Sequence, residues 1–222
     1  MRQFLVIVGL AVMAVFKFSP AFAEPVCLPP EGVKRLAYDL RWEGRKVGDV
    51  TVDFERQGSD VIAHNTAAIE VGLFWADVIK IKHQSDERWR DGKFVDYRGV
   101  TTNKTHVRKL GIAVEPERVV VDRSEEPVIA PLGTLPVWVW CSARFIGPKY
   151  FDLTDGKVKD LIGTDMGQDE VLVGDKPLKL HRYHVKGDLE GDAWFDSRGI
   201  LILARVPAGG GSVGTVELRP AP

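Results

Sequence analysis

Alternating apolar and polar residues dominate the chain and predict β-strands. Apolar side chains occupy every second position in Leu36 to Trp42 and again in Val50 to Phe54. This period of two is expected when one face of a strand is buried. The dipeptide Asp91-Gly92, a strong hairpin signal, separates the runs Val78 to Trp89 and Lys93 to Val100. The pattern therefore predicts consecutive antiparallel hairpins.

The same pattern continues to the end of the chain. The further runs are Val61 to Val71, Val119 to Val121, Val158 to Ile162, Val171 to Val173, Leu178 to Val185, Ala193 to Phe195 and Ile200 to Val206. After residue 23 no segment sustains helical spacing over ten or more positions, although Leu135 to Phe145 has room for a short helix. We predict a mainly β fold, a single antiparallel meander of about ten to twelve strands in a strongly curved sheet or barrel, with at most short helices. Two packed sheets are the alternative.

Residues 1–23 predict a cleavable secretory signal peptide. Arg2 supplies a positive n-region, Phe4 to Phe16 is apolar and uncharged, and Ala21-Phe22-Ala23 is the small-x-small pattern of a signal peptidase site. A membrane anchor is the alternative, but Lys17 ends the apolar run well short of the roughly 20 residues that a spanning helix needs. We expect a single exported β-rich domain over residues 24–222, with no transmembrane segment after cleavage.

Charge narrows the choice of partner. The chain has 30 basic and 31 acidic residues, a net charge of −1, and cleavage would remove Arg2 and Lys17 without any acid, leaving 28 − 31 = −3. A balance this close to neutral argues against nucleic acid or an anionic membrane face as the main partner. A small polar ligand or another protein stays open. No motif predicts a cofactor, so we expect none.

The chain has two cysteines, Cys27 and Cys141. They allow one pairing, which would close a loop of 141 − 27 = 114 residues, and an oxidising compartment favours it. Two buried free thiols are the alternative, because free cysteine often behaves as a small apolar residue. Two thiols alone make an incomplete metal site.

An ordered set of residues spans most of the chain. It begins with Tyr38-Asp39-Leu40, Gly44 and Val47-Gly48-Asp49, continues with His83, Glu87, Trp89 and Gly92, and ends with Tyr183, Gly187, Asp192, Trp194, Phe195 and Gly199. This order resembles a group of exported bacterial β-rich domains of unknown function. The resemblance implies a periplasmic β-sheet protein and brings no known activity. The chain departs from the group at Val206 to Thr215, which contains Gly209-Gly210-Gly211.

One predicted strand face carries the most suggestive chemistry. His83, Glu87 and Trp89 share this face with Ser85. His83 and Glu87 lie roughly 13 Å apart along a strand, too far to touch directly. In a cavity they would be buried polar groups with displaced pKa values. We favour the simpler interpretation, in which the sheet twists and Glu87 faces water near the hairpin end.

Other residues carry weaker hypotheses. Trp138 and Trp140 would share one strand face, where they either pack in the core, which we favour, or contact a partner. His181 and His184 lie three residues apart, so on a strand they point to opposite faces and do not grip one metal ion. Gly209-Gly210-Gly211 is interpreted as a flexible hairpin loop rather than an anion cradle, because it opens no helix.

Three functions follow as hypotheses. The first is a non-enzymatic periplasmic binding or envelope-maintenance protein whose curved sheet encloses an apolar pocket for a lipid-like ligand. The second is an interaction module that contacts another exported protein through Val128 to Ile146, including Trp138 and Trp140. The third is an enzyme that uses His83 and Glu87 as acid and base.

Overall fold

The structure, a computed structural model, describes residues 27–73, 76–104, 106–123, 126–136, 140–141, 149–153, 155–207 and 211–220. The predicted signal peptide lies outside these residues, as do Trp138, Gly209, Gly210 and most of the segment predicted to hold a short helix. The described residues contain no helix, and hence none that could cross a membrane.

The described residues form one fifteen-stranded sheet. Its strands are β1 (Arg35–Trp42), β2 (Arg45–Gln57), β3 (Asp60–Leu73), β4 (Ala76–Arg90), β5 (Lys93–Asn103), β6 (His106–Val114), β7 (Val119–Arg123), β8 (Val128–Ala130), β9 (Leu135–Pro136), β10 (Lys149–Phe151), β11 (Val158–Val173), β12 (Lys176–Gly187), β13 (Gly191–Phe195), β14 (Leu201–Pro207) and β15 (Val213–Leu218). The mainly β, antiparallel prediction is confirmed. The count exceeds the predicted ten to twelve because β8, β9 and β10 have only two or three residues each, too short to show a period of two.

Two meanders meet at a single seam. The spatial order runs from β8 back to β1, then to β15 and back to β9. At the seam, β1 pairs antiparallel with β15, with Tyr38 opposite Leu218. All pairs are antiparallel except β9 with β10, which is parallel. The strand order has two ends, β8 and β9, so the described strands form an open sheet rather than a closed ring of strand pairs.

Tight turns set the register of the hairpins, one of them at Asp91-Gly92, where the sequence predicts it. Glu43-Gly44 joins β1 to β2 and Asp91-Gly92 joins β4 to β5, and all four residues have positive φ, between 49° and 77°. Positive φ at both central positions is the type I′ geometry that suits the twist of a hairpin. Gly174-Asp175 joins β11 to β12. These turns fix which residues face the core.

The core lies on the inward face of both meanders. Its fully buried large side chains include Tyr38, Val52, Trp89, Tyr97 and Phe151, each 0% exposed. A second, smaller apolar cluster comprises Val171, Leu180, Trp194 and Leu203. Because Ala193 and Phe195, on either side of Trp194, belong to the main core, Trp194 points to the opposite face of the sheet. The C-terminal meander thus buries apolar side chains on both of its faces.

Candidate functional site

The inward face of β4 carries the residues singled out from the sequence. His83 and Ser85 are 6% exposed, and Glu87 and Trp89 are 0% exposed. The prediction that they share one face is confirmed, but the interpretation that Glu87 faces water is wrong. The hairpin end is covered: the backbone N–H of Cys27 donates to the carbonyl of Gly92 over 2.8 Å. The N-terminal segment therefore crosses the end of the sheet where the twist was expected to expose Glu87.

A chain of hydrogen bonds connects His83 to Glu87. His83 Nδ1 lies 2.8 Å from Thr101 Oγ1, and His83 Nε2 lies 3.2 Å from Ser85 Oγ. The Asn65 amide Nδ2 donates to Ser85 Oγ over 3.4 Å and to Glu87 Oε1 over 3.3 Å. The Trp89 indole N–H then donates to Glu87 Oε2 over 3.0 Å. Two residues that cannot touch along their strand are thus linked through a neighbour on β3.

Asn65 is the member that sequence reasoning missed. It lies on β3 opposite Ser85 and is 1% exposed. Its alternation with the buried residues Ala63 and Ala67 was a usable signal, because a polar residue at an inward position needs a hydrogen-bond partner. Asn65 Oδ1 is nevertheless buried without a hydrogen-bond partner among the described residues.

Tyr97 closes the chain from β5. Its hydroxyl lies 3.1 Å from His83 Nε2, and the two rings are stacked with centroids 6.4 Å apart. Gly99 makes room for this position, because a Cβ at residue 99 would lie 2.2 Å from the Tyr97 hydroxyl oxygen. The absence of a side chain at Gly99 therefore lets the phenol ring lie along the strand toward the imidazole.

Burial controls the charge of this network. Desolvation lowers the pKa of His83 to about 4 and raises the pKa of Tyr97 above its usual range. At neutral pH the imidazole and the phenol are both uncharged, so each is a hydrogen-bonding group. Neither His83 nor Glu87 lines either groove described below, so their acid and base roles stay a prediction.

Aromatic rings and the disulfide cover the hairpin end of the network. The Trp140 ring lies 5.7 Å from that of Trp89 and 5.1 Å from that of Phe54, both edge to face. Cys27 and Cys141 are bonded, with Cα atoms 5.8 Å apart, as the sequence predicts. Trp140 is 3% exposed, so its described position is in the core. A contact role for Trp138 stays a prediction.

An apolar groove lies between the turn end of the β11–β12 hairpin and strands β1, β14 and β15. Its apolar walls are Val33, Leu36, Val173, Leu178, Ile200, Ile202 and Leu218, and its volume is about 1160 Å³. The sequence predicts an apolar pocket enclosed by the sheet. The structure instead places large side chains such as Tyr38 and Tyr97 in the centre and forms this groove beside the hairpin.

A second, polar groove crosses strands β3 to β7. Its volume is about 820 Å³, and its lining includes Gln84, Arg98, Lys109, Gly111 and Asp122. His64, also in this lining, lies 2.6 Å from an Asp86 oxygen. That contact and a weaker one to Glu55 raise the pKa of His64 above its ordinary value.

The two histidines of β12 have separate carboxylate partners. His181 Nε2 lies 2.7 Å from Asp165 Oδ1, and His184 Nδ1 lies 2.9 Å from Asp192 Oδ1. The carboxylate partner of His181 lies on β11, whereas that of His184 lies on β13. Among the described residues, no group of three or more His, Cys, Asp or Glu side chains is arranged to hold a metal ion.

Comparisons with known proteins give a family and a fold. Residues 38–219 match the model of a family described as a domain of unknown function (DUF6134). The chain is similar to a crystal structure from Brucella abortus described as a beta-barrel-like protein of domain of unknown function DUF1849. The TM-score is 0.56 at 13% identity, over 84% of this chain and 98% of the other. That likeness shows a shared β-barrel-like fold. No curated protein sequence matches the chain.

Proposed function

We propose that this chain, which belongs to the DUF6134 family of domains of unknown function, is an exported, non-enzymatic binding protein that holds a lipid-like ligand in the apolar groove. The carrying observation is the groove itself: seven apolar side chains from four parts of the chain converge on about 1160 Å³, and the lining also contains seven charged residues. Small-molecule sites are typically concave and mostly apolar, with volumes of roughly 300–1,000 Å³. At about 1160 Å³ the groove is slightly larger than this range, which leaves room for a ligand with an extended apolar part.

The hairpin wall of the groove is anchored. Strand β12 pairs with β13 only from His181 to Val185, so residues 176–180 continue with β11 as a two-stranded ribbon. The outer apolar cluster packs Leu180 of this ribbon with Trp194 and Leu203 of the sheet. An isolated two-stranded ribbon is marginal in water, so this packing supports a wall that is formed before ligand arrives.

Two features of the chain support the proposal that the protein is exported. Residues 1–23 carry the signal-peptide pattern, and the Cys27–Cys141 disulfide is the kind of bond that persists in oxidising compartments. A periplasmic location gives such a protein access to envelope lipids and agrees with an envelope-maintenance role.

The experiment is native mass spectrometry of the protein purified from membrane-containing lysate, followed by titration with a fluorescent fatty-acyl probe. Val173→Glu places a charge in the groove wall and should abolish probe binding. Leu172→Glu is the matched control, because its side chain is 61% exposed and is not part of the lining. Unchanged probe binding by folded Val173→Glu, or equal loss in both variants, would rule out the groove as the site.

A further inference from the structure

Strands β4, β5 and β6 present three rows of side chains on the sheet face opposite the buried network. Residues directly opposite one another on paired strands share a face. The first row is Lys82, Thr102 and Val107, the second is Gln84, Val100 and Lys109, and the third is Asp86, Arg98 and Gly111. We call Lys82, Arg98, Val100, Val107 and Lys109 the basic face.

The charge of the basic face differs from that of the chain. Residues 97–114 contain four Lys or Arg residues and no Asp or Glu, although the chain as a whole has a net charge of −1. Among the described residues, no carboxylate forms an ion pair with Lys82, Arg98 or Lys109. The carboxylate within the three rows, Asp86, is held by His64 at 2.6 Å. The near-neutral total therefore conceals a local excess of positive charge.

The polar groove lies on this face. Arg98 and Lys109 line it, and Gly111, which has no side chain, separates Arg98 from Asp122 on β7. The Asp122 carboxylate places negative charge at the far side of the groove. An anionic group is therefore favoured on the Arg98 and Lys109 side, where two cations from neighbouring strands converge.

Two exposed valines accompany these cations. Val107 is 60% exposed and Val100 is 38% exposed. Val107 lies next to the turn that joins β5 to β6, one residue after the strand begins at His106. Apolar side chains at a strand end beside basic residues suit the boundary between lipid head groups and acyl chains. Nucleic acid would gain little from them, and the described residues of this face include no Phe, Tyr or Trp ring for base stacking.

We infer that the basic face docks on an anionic membrane surface, with a lipid phosphate group held between Arg98 and Lys109 and with Val107 contacting the acyl boundary. This reverses the expectation from total charge, because attraction to a surface depends on the charges within a Debye length of it, about 8–10 Å. The docking surface lies on the N-terminal meander and does not depend on the apolar groove.

Sedimentation with vesicles tests the inference. The folded protein should sediment with vesicles containing one-third phosphatidylglycerol and stay in solution with pure phosphatidylcholine. Each basic residue near an anionic surface contributes about fivefold to partitioning, so Lys82→Gln with Lys109→Gln should weaken it about 25-fold. Lys179→Gln with Lys186→Gln, exposed residues on β12, is the control and should bind like the wild type.

Two further arms separate lipid from other anions. Val107→Ser should weaken vesicle binding several-fold, because an apolar contact is lost. Soluble glycerol phosphate should compete poorly, since it offers no surface. Equal sedimentation with both vesicle types, equal behaviour of the two double variants, or tighter binding to duplex DNA than to anionic vesicles would each overturn the proposal.

Discussion

The inward face of β4 and the outer cluster of the C-terminal meander each contain a tryptophan whose indole N–H donates to a carboxylate over 3.0 Å. Trp89 donates to Glu87, which is 0% exposed. Trp194 donates to Asp169, whose side chain is 37% exposed. The bond length is the same, but water can replace only the second acceptor. The value of such a hydrogen bond therefore depends on its surroundings more than on its geometry.

The two regions also depart from the usual arrangement of a sheet, in which apolar side chains lie on the inward face and polar side chains on the outward face. The N-terminal meander buries a polar chain on its inward face, whereas the C-terminal meander buries an apolar cluster on its outer face. Arg182 and Arg205 lie over the Trp194 ring, 5.6 Å and 5.1 Å from its centroid. The outer cluster is thus sealed by cations and by the β11–β12 ribbon rather than by a second sheet.

Opening the disulfide should have the largest effect on stability, because it releases a long loop. It should also affect the two tryptophans unequally, because the disulfide covers only Trp89. Reduction, or replacement of both cysteines with serine, releases a loop of 114 residues and should lower the free energy of unfolding by about 4 to 5 kcal/mol. Urea titrations with and without reductant measure this loss. Trp89 fluorescence should change at lower urea than that of Trp194, read from single-tryptophan variants; an unchanged midpoint would contradict the assignment.

The paired substitutions Glu87→Ala and Asp169→Ala test the comparison directly. Loss of Glu87 removes the oxygen that accepts from the buried Trp89 indole N–H and one of the acceptors of the Asn65 amide, so we expect a loss of about 3 kcal/mol. Loss of Asp169 should cost under about 1 kcal/mol, because water reaches that site. Glu87→Gln, which keeps one acceptor oxygen, should fall between them. Equal losses measured by urea unfolding would show that burial does not separate the two sites.

Acidification should produce the third effect. The pKa of His83 is lowered to about 4, so the unfolded state, with a pKa near 6.5, binds the proton first. The stability that uncharged His83 contributes to the folded state is complete above about pH 6.5 and is lost as pH falls toward 4. Between pH 7 and pH 5 this amounts to about 2 kcal/mol. Urea unfolding across this range should show a smaller dependence on pH in His83→Gln.

His64 provides a comparison of opposite sign on the same meander. Its pKa is raised, chiefly by the Asp86 hydrogen bond, so its contribution is present below the unfolded pKa and is lost as pH rises. His64→Gln should therefore remove a stabilisation seen at acid pH. A shift in the same direction for both variants would contradict the difference between the inward and outward imidazoles.

Strand geometry predicted that His83, Glu87 and Trp89 share one face of β4, but not that this face is buried as far as Glu87. It did not predict the link between His83 and Glu87, because Asn65 joins them only through the β3–β4 register. It also did not separate the two faces of β13, since Ala193, Trp194 and Phe195 are all apolar and show no period. The net charge of the whole chain likewise gave no sign of the basic face, because acidic residues elsewhere balance its cations. Local sequence patterns thus predicted the strands, whereas the pairing between strands determines which side chains come together in the network and on the basic face.

The seam between β1 and β15 has a consequence for how the chain folds. Tyr38 pairs with Leu218, 218 − 38 = 180 residues away, while most other strands pair with the next strand in the chain. Local hairpins close quickly, and long loops close at a higher entropic cost. We therefore expect each meander to form by itself during synthesis and the seam to form last. Until β15 has been synthesised, β1 has one open edge ready to pair.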